Sequence, residues 1–259
     1  MLEQSPRFWD IFFEVYEALP RQGPGNRENA ARALALCHGL PVSPRILDLG
    51  CGAGGQTRHL AALTDGHIVA VDSHAPFIDG LRGSIAACGL ADRIFPLCAD
   101  MADTGLPPGS VDLVWSEGAL YNLGLDAALP LCRELLRPGG HLVFTEAVWR
   151  KSDVPEEVRR GFELDYPDMG WTQDVLAAVA RHGLEVLGHF TLPDEAWWQD
   201  FYTPMQARVR ELRGKYGHDV EAQAILDVLH RETELHAAHA DCYAYEFFVT
   251  RRPKCPRST

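Results

Sequence analysis

The chain has 259 residues, 46% of them hydrophobic, with 24 Lys and Arg against 36 Asp and Glu and a formal charge of -12. That length suits one large α/β domain, or one domain plus a cap, and the acidic balance argues against unspecific nucleic-acid binding, which needs clustered cations. Seven cysteines, an odd number with no C-x-x-C pair, point to a reducing cytoplasm, and the sequence shows neither a signal-peptide layout nor an uncharged apolar run long enough for a membrane span.

Residues 6–19 carry Phe8, Trp9, Phe12, Phe13, Val15, Tyr16 and Leu19 at the spacing of an amphipathic helix. The breaker cluster Arg21-Gln22-Gly23-Pro24-Gly25 follows, then a helix over 26–39. Ile46 to Leu49 reads as a strand, followed by a glycine loop and a helix through Leu63. His67 to Val71 is a strand ending at Asp72, and 75–87 a helix closed by Gly89. Arg93 to Leu97 is a strand ending at Asp100, and Val111 to Trp115 another. A helix over 125–137 is stopped by Pro138-Gly139-Gly140, and His141 to Thr145 is a further strand. Alternating strands and helices imply βαβ units and a mostly parallel sheet.

The second half differs. Residues 154–169 are polar and aromatic, 172–183 a helix, and Glu185 to Leu192 a strand. Residues 194–240 read as a helical insertion before a last strand, Tyr243 to Thr250, and 252–259 as a loose tail. The expected organisation is an N-terminal helical lid over 1–40 and a main domain over 41–259, with 194–240 as its cap.

The strongest signal is Asp48-Leu49-Gly50-Cys51-Gly52-Ala53-Gly54-Gly55-Gln56-Thr57, between a strand and a helix. Glycines there let the backbone turn sharply and approach a ligand, and the helix N-terminus behind them offers free N–H donors to an anionic group. Gly50, Gly52 and Gly55 also satisfy G-x-G-x-x-G, so a dinucleotide site remains a competing reading. Three carboxylates weigh against it. Asp48 leads the loop and can reach a ligand's amino-acid end. Asp72 ends the second strand, where it can accept ribose hydroxyls. Asp100 follows the third, within reach of an adenine amino group, with Met101 beside it to pack on the ring.

The segments ILDLGCGAGG, VAVD, CAD, VDLVWSEGALYNLG and LLRPGGHLVFTE, over about residues 40–150, resemble the class I S-adenosylmethionine-dependent methyltransferases. The resemblance implies a Rossmann-like α/β fold of seven strands, the last antiparallel. It implies S-adenosyl-L-methionine as cofactor and S-adenosyl-L-homocysteine as product. Gly50, Gly52 and Gly54 would contact the methionine portion, Asp72 the ribose and Asp100 the adenine. Tyr16 and Arg21 would close over the cofactor, and Gln56, Thr57, Ser73 and Ser116 complete the expected binding set. A QGPG loop at Gln22–Gly25 and the segment Ser116–Gly124 are similar to bacterial members of the ubiquinone/menaquinone-methyltransferase-like group. The segment lacks the Asn/Asp-Pro-Pro-aromatic order of enzymes that methylate base or glutamine amino groups.

Methyl transfer from a sulfonium is an in-line displacement, so the protein chiefly aligns the reactants and excludes water. A base is needed only when the acceptor carries a proton that must leave. Glu117 is the first candidate to take that proton or to offset the sulfonium charge, and it belongs to the expected cofactor set as well. Tyr121, also in both sets, is placed to orient the acceptor. Glu146, after the fifth strand, is a second acid/base candidate, with an ordinary strand-end carboxylate as its plain alternative. Trp171, Trp197, Trp198, Phe201, Tyr202, Tyr243 and Tyr245 either fill a core or wall a pocket that shelters a cationic acceptor. His236, His239 and Cys242 share one helix side but offer too few ligands for a metal. Cys51 and Cys88 fall in no cysteine pair, against metalloid methylation. The expected activity is methyl transfer to an O, N or S atom of a small molecule, with no nucleic-acid or membrane partner and a homodimer left open. The alternatives are a non-catalytic S-adenosylmethionine-binding regulatory protein and an NAD-dependent oxidoreductase.

Overall fold

A computed structural model of the protein describes residues 5–254, apart from the side chains of 163–165. Cys255 and the expected tail beyond 254 lie outside the described residues.

Seven strands form one sheet in the order β3-β2-β1-β4-β5-β7-β6. They are β1 (Arg45–Leu49), β2 (His67–Asp72), β3 (Ile94–Cys98), β4 (Val111–Glu117), β5 (Leu136–Trp149), β6 (Glu185–Thr191) and β7 (Tyr243–Arg251). Strands β1 to β5 pair in parallel, and β7 runs antiparallel to both β5 and β6. The Rossmann-like sheet with a reversed last strand is therefore present. Strand β4 is buried along nearly its whole length, as expected where helices cover both faces of a parallel sheet. Pro96 sits in β3, an edge strand, where its missing N–H breaks no inner ladder. The chain leaves β1 outward to β2 and β3, then returns to the other side of β1 as β4. That reversal opens a crevice at the carboxyl ends of β1 and β4, where α/β sheets bind ligands.

The helices are α1 (Pro6–Tyr16), α2 (Arg27–Ala35), α3 (Gly55–Leu63), α4 (Ala75–Ala87), α5 (Leu125–Leu135), α6 (Glu156–Asp165), α7 (Thr172–Arg181), α8 (Glu195–Trp197), α9 (Thr203–Lys215) and α10 (Val220–His239). Local chemistry starts several of them. The Ser5 hydroxyl accepts from Phe8 N before α1, Asn26 accepts from Asn29 N before α2, and Asp219 accepts from Ala222 N before α10, each a side-chain cap on an orphan donor. The two helices of residues 1–40 pack in different places. Phe8, Ile11 and Val15 of α1 join Met205, Val209, Ile225 and Leu229 of α9 and α10 in one apolar cluster. Ala30 and Ala33 of α2 lie instead in the cluster over β1 and β2. Each fully buried aliphatic side chain contributes about 1.5–3 kcal/mol, enough to hold α1 against the insertion.

Several boundaries differ from the sequence reading. Helix α5 stops at Leu135 and β5 begins at Leu136, so Pro138-Gly139-Gly140 lies within an extended segment. The reason is pairing with the chain end: Gly139 N donates to Arg252 O and Arg252 N to Gly140 O, each at 2.8 Å. Strand β4 runs on through Ser116 and Glu117 because they pair with Phe144 and Thr145 of β5, and β5 runs through Glu146 to Trp149 because β7 pairs with it along that stretch. Helix α2 ends at Ala35, short of Gly39.

Gly54, the residue before α3, has φ +80° and its missing side chain faces Leu81 of α4: an added Cβ would overlap Leu81 Cδ1. Gly54→Val is expected to cost about 2–3 kcal/mol, from the left-handed backbone and the overpacking together. Urea unfolding midpoints measure it, and an unchanged midpoint would show that the α3–α4 contact yields freely.

Candidate functional site

A cavity of about 1630 Å³ opens at the carboxyl ends of β1 to β4. Its walls come from the glycine loop, α1, the 21–24 loop, the turn after β4 and the helical insertion. Eleven of the expected site residues reach it: Tyr16, Arg21, Asp48, Gly50, Gln56, Asp72, Ser73, Asp100, Met101, Glu117 and Tyr121.

The glycine loop is built by backbone that only glycine adopts readily. Gly50, Gly52 and Gly54 have φ of +70°, +52° and +80°. Gly50 N and Cys51 N both donate to Val71 O at 2.9 Å, tying the loop to β2. A Cβ on Gly50 would overlap Ala119 Cβ, so the loop also abuts the turn after β4. No side chain caps α3, which leaves its N-terminal donors for another partner.

The three aspartates stand on successive strand ends. Asp48 is buried and accepts the Thr57 hydroxyl at 2.7 Å. Burial pushes its carboxyl up to about 7, against the downward pull of that hydroxyl. Asp72 accepts Gly52 N and His74 N, each at 2.9 Å. Asp100 is exposed and accepts Ala102 N at 2.8 Å.

Glu117, at the end of β4, meets Arg21 of the N-terminal loop. Arg21 Nη2 lies 2.7 Å from Glu117 Oε2, with the two side chains only 6% and 3% exposed. Trp115 Nε1 donates to the other carboxylate oxygen at 2.8 Å. Burial raises the Glu117 carboxyl, while Arg21 and Trp115 hold it down. Arg21 also donates to Gln56 Oε1 at 3.0 Å. A buried pair of this kind is held by its full set of hydrogen bonds rather than by charge alone.

Five expected residues stand off the cavity wall. Thr57 is buried on Asp48, and Ser116 is buried with its hydroxyl donating to Leu49 O at 2.9 Å. Gly54 packs on Leu81, and an added Cβ on Gly52 would overlap Gln22 Oε1. Glu146 lies inside β5 rather than after it, 1% exposed, and neither of its oxygens has a hydrogen-bond partner among the described residues. Burial pushes its carboxyl up to about 8. The Tyr166 hydroxyl and the Ala147 backbone stand beside the carboxyl and hold it down in part, and Tyr166 itself lines the cavity.

The sequence reading missed two contributors. Gln22 accepts Ala53 N at 2.8 Å and donates to Tyr16 O and Leu19 O, clamping the N-terminal loop onto the glycine loop. The breaker cluster and the QGPG likeness marked its loop, but neither pointed to the side chain itself. Glu232 of α10 reaches the cavity and accepts the hydroxyls of Tyr202 and Tyr16. A helical glutamate in a polar insertion gives no signal of that kind. Of the aromatic set, Trp197, Phe201, Tyr202, Tyr243 and Tyr245 line the cavity, whereas Trp171 is exposed. His236 bonds Tyr243 and Asp194 at 2.9 Å each, and His239 lies 3.3 Å from Glu157.

Residues 46–140 match the family model described as a methyltransferase domain. The sterol 24-C-methyltransferase erg-4 of Neurospora crassa is 25% identical over 190 residues, covering 70% of this chain and 50% of that one. The dimethylglycine N-methyltransferase of Parasynechococcus marenigrum is 35% identical over 115 residues, covering 44% of this chain and 41% of that one. The chain thus spans about half the length, or less, of these curated relatives. A methyltransferase from Geobacter sulfurreducens, solved with S-adenosyl-L-homocysteine, superposes with a TM-score of 0.79 at 22% identity, covering 99% of this chain and 100% of that one. This chain therefore has the Rossmann-like fold of the S-adenosylmethionine-dependent methyltransferases, and its residues 46–140 match a methyltransferase domain.

Proposed function

We propose that the protein is an S-adenosyl-L-methionine-dependent methyltransferase acting on a small-molecule acceptor. One observation carries the reading: carboxylates on three successive strand ends and a positive-φ glycine loop border a single cavity that continues into an aromatic chamber. The bound sulfonium supplies an activated methyl group and leaves as S-adenosyl-L-homocysteine. Asp72 accepts the ribose hydroxyls, Asp100 the adenine amino group, and Met101 packs on the base. Gly50 and the donors at the start of α3 take the amino-acid tail, with Asp48 behind them held by Thr57. Tyr16, Arg21 and Gln22 close the N-terminal loop over this end as a lid and exclude water. Glu117, fixed between Arg21 and Trp115, offsets the sulfonium charge, and Tyr121 orients the acceptor. Glu146 holds its proton at neutral pH and stands behind Tyr166, so it acts as a proton store rather than as the first base.

The acceptor atom of this reading is O, N or S; the relative named for sterol 24-C methylation adds carbon to the set, and the one named for dimethylglycine N-methylation agrees with nitrogen. Gln22 to Pro24, Glu117 to Ala119 and Tyr121 to Leu123 border the cavity, so the two segments that carry the likeness to ubiquinone/menaquinone-type enzymes both belong to the site of this reading. A cytoplasmic setting belongs to the same reading.

Calorimetric titration with S-adenosylmethionine, S-adenosylhomocysteine and NAD tests the cofactor. Asp72→Ala is expected to weaken S-adenosylhomocysteine binding by about 1.5–3 kcal/mol, roughly 10- to 150-fold, because charge-assisted hydrogen bonds are lost. An unchanged dissociation constant removes Asp72 from the ribose, and binding of NAD alone favours the oxidoreductase. Methyl release over a metabolite panel separates an enzyme from a non-catalytic cofactor-binding protein.

A further inference from the structure

Neither carboxyl expected to act as a base is placed to do so. Glu117 is held between Arg21 and Trp115, and burial keeps the proton on Glu146 at neutral pH. The start of β7 offers another group. Because β7 runs antiparallel to β5, Tyr243 pairs with Trp149 at the carboxyl end of the sheet, and it borders the cavity there. His236 of α10 stands behind Tyr243, and Asp194 behind His236. The imidazole Nδ1 lies 2.9 Å from the Tyr243 hydroxyl oxygen, and Nε2 lies 2.9 Å from Asp194 Oδ1. Trp197 stacks on the imidazole with ring centres 4.3 Å apart, and Trp198 Nε1 donates to Asp194 Oδ2 at 3.1 Å. The His236 side chain is 2% exposed and that of Asp194 59%, so the row leads from a buried phenol out to solvent. A second pocket of about 470 Å³ opens on its outer side, bordered by Asp194, His236 and Tyr243.

These contacts fix the protons. A carboxylate only accepts, so the ring turns its Nε2–H to Asp194. Burial lowers the proton affinity of the imidazole, and the neutral ring leaves Nδ1 bare to accept the Tyr243 hydroxyl. Asp194 pulls the other way and steadies the ring whenever it gains a second proton. Burial raises the Tyr243 phenol, so no phenolate rests there, and the oxygen takes a proton only as its own passes to His236. An imidazole behind a hydroxyl, oriented by a carboxylate, is the arrangement that lets a weakly basic oxygen work at neutral pH. The other titratable or charged groups around the row are Tyr202, with its ring 5.2 Å from His236, Glu232 and Cys242 facing Tyr243, and Arg150 and Asp241 on the outer pocket.

We propose that Tyr243 takes the proton of the acceptor, with His236 and Asp194 as the residues that position and drive it, and that the acceptor carries a hydrogen on its attacking O, N or S atom. The proposal rests on the methyltransferase reading for its reaction, while the hydrogen-bonded row stands without it. As the attacking atom forms its bond to the methyl carbon, the S–CH₃ bond breaks, its electron pair stays on sulfur, and the sulfonium becomes a thioether. The acceptor's proton moves to the Tyr243 oxygen while the phenolic proton moves to His236 Nδ1, leaving an imidazolium beside Asp194. After the methylated product leaves, the same two hydrogen bonds run in reverse and deliver one proton to water in the emptied cavity. Nε2–H stays on Asp194 throughout.

The test has two parts, both on the full chain with circular dichroism to confirm that each variant folds. The first is histidine nitrogen NMR at pH 7 with saturating S-adenosylhomocysteine, His236 being assigned by its loss in His236→Gln. A neutral ring with its hydrogen on Nε2 is expected, and Tyr243→Phe should move the Nδ1 resonance. The opposite tautomer, an imidazolium, or an Nδ1 resonance indifferent to Tyr243→Phe overturns the inference whatever the acceptor. The second is methyl transfer from S-adenosylmethionine to catechol, 2-mercaptoethanol and ethanolamine. His236→Gln and Tyr243→Phe should each lower kcat by about 100-fold or more on the accepted probe, with KM and the S-adenosylhomocysteine dissociation constant unchanged. Added imidazole, entering by the outer pocket, should restore turnover to His236→Ala, which a merely structural loss would not allow. Full kcat in either variant, a loss that imidazole leaves untouched, or methylation of none of the three probes by a protein that binds S-adenosylhomocysteine overturns the inference. The expected His236 resonances in a protein that binds no S-adenosylhomocysteine would instead overturn the methyltransferase reading and leave the row standing.

Discussion

Arg21→Ala is expected to cost about 3–5 kcal/mol of folding stability at pH 8, the range for breaking a buried ion pair from one side. The substitution leaves Glu117 ionised in a site where its side chain is 3% exposed. Trp115 Nε1 remains as its one described hydrogen-bond donor. Gln56 Oε1, now served by Arg21, loses that donor too. The loss should shrink on acidification. Burial already raises the Glu117 carboxyl in the fold, and Arg21 is the largest influence holding it down. Without Arg21 the folded carboxyl keeps its proton to higher pH, while the unfolded one ionises at its ordinary value. The penalty therefore grows as pH rises above that ordinary value and fades below it, where Glu117 is neutral in both states. Arg21→Ala combined with Glu117→Gln should recover much of the stability, since no charge is then stranded. Urea unfolding of the three variants at pH 5 and pH 8 measures this. A loss below about 1 kcal/mol at pH 8 would place the pair in the class of exposed ion pairs and detach the N-terminal loop from the site's architecture.

The second large effect concerns Glu146. Its carboxyl sits inside β5 without a hydrogen-bond partner among the described residues, and burial raises it from 4.5 to about 8. Below pH 4.5 the group is protonated folded and unfolded, and costs no pH-dependent stability. Between 4.5 and about 8 the unfolded chain releases the proton while the fold retains it, so stability falls as pH rises. Above that window the folded group ionises as well and the loss levels off. Glu146→Gln removes this titration. Its stability relative to the parent should therefore rise across the window, by on the order of 4 kcal/mol in total. Thermal or urea unfolding at pH 4, 6 and 8.5 reads the trend. Parallel curves for the two proteins would show that Glu146 is solvated or paired in solution.

Strand β1 and the loop after it were legible because their signals are local. A near-continuous apolar run marks a strand buried on both faces, and glycines that need positive φ mark the turn. Asp48, Asp72 and Asp100 were legible for the same reason, since each simply ends or follows a strand pattern. The boundaries of α5 and β5 were not. Pro138-Gly139-Gly140 is ordinarily a stop signal, yet here it extends because the returning chain at Arg252 supplies backbone partners. Glu146 was misplaced by the same shortening of β5. The Thr57 and Ser116 hydroxyls bond within the protein, to Asp48 and Leu49, and the open side of Gly54 faces Leu81. A motif specifies which residue types surround a turn, not which of them face outward.

Sequence alone determined the parallel sheet, the sharp loop after β1 and the carboxylates at its strand ends, because side-chain periodicity and backbone dihedrals act over a few residues. Tertiary structure decided which partners complete the site. Arg21 meets Glu117 across 96 positions, and Tyr16 meets Glu232 across 216. Such contacts depend on how α1 and α10 pack against each other over the crevice, and no spacing along the chain records that packing.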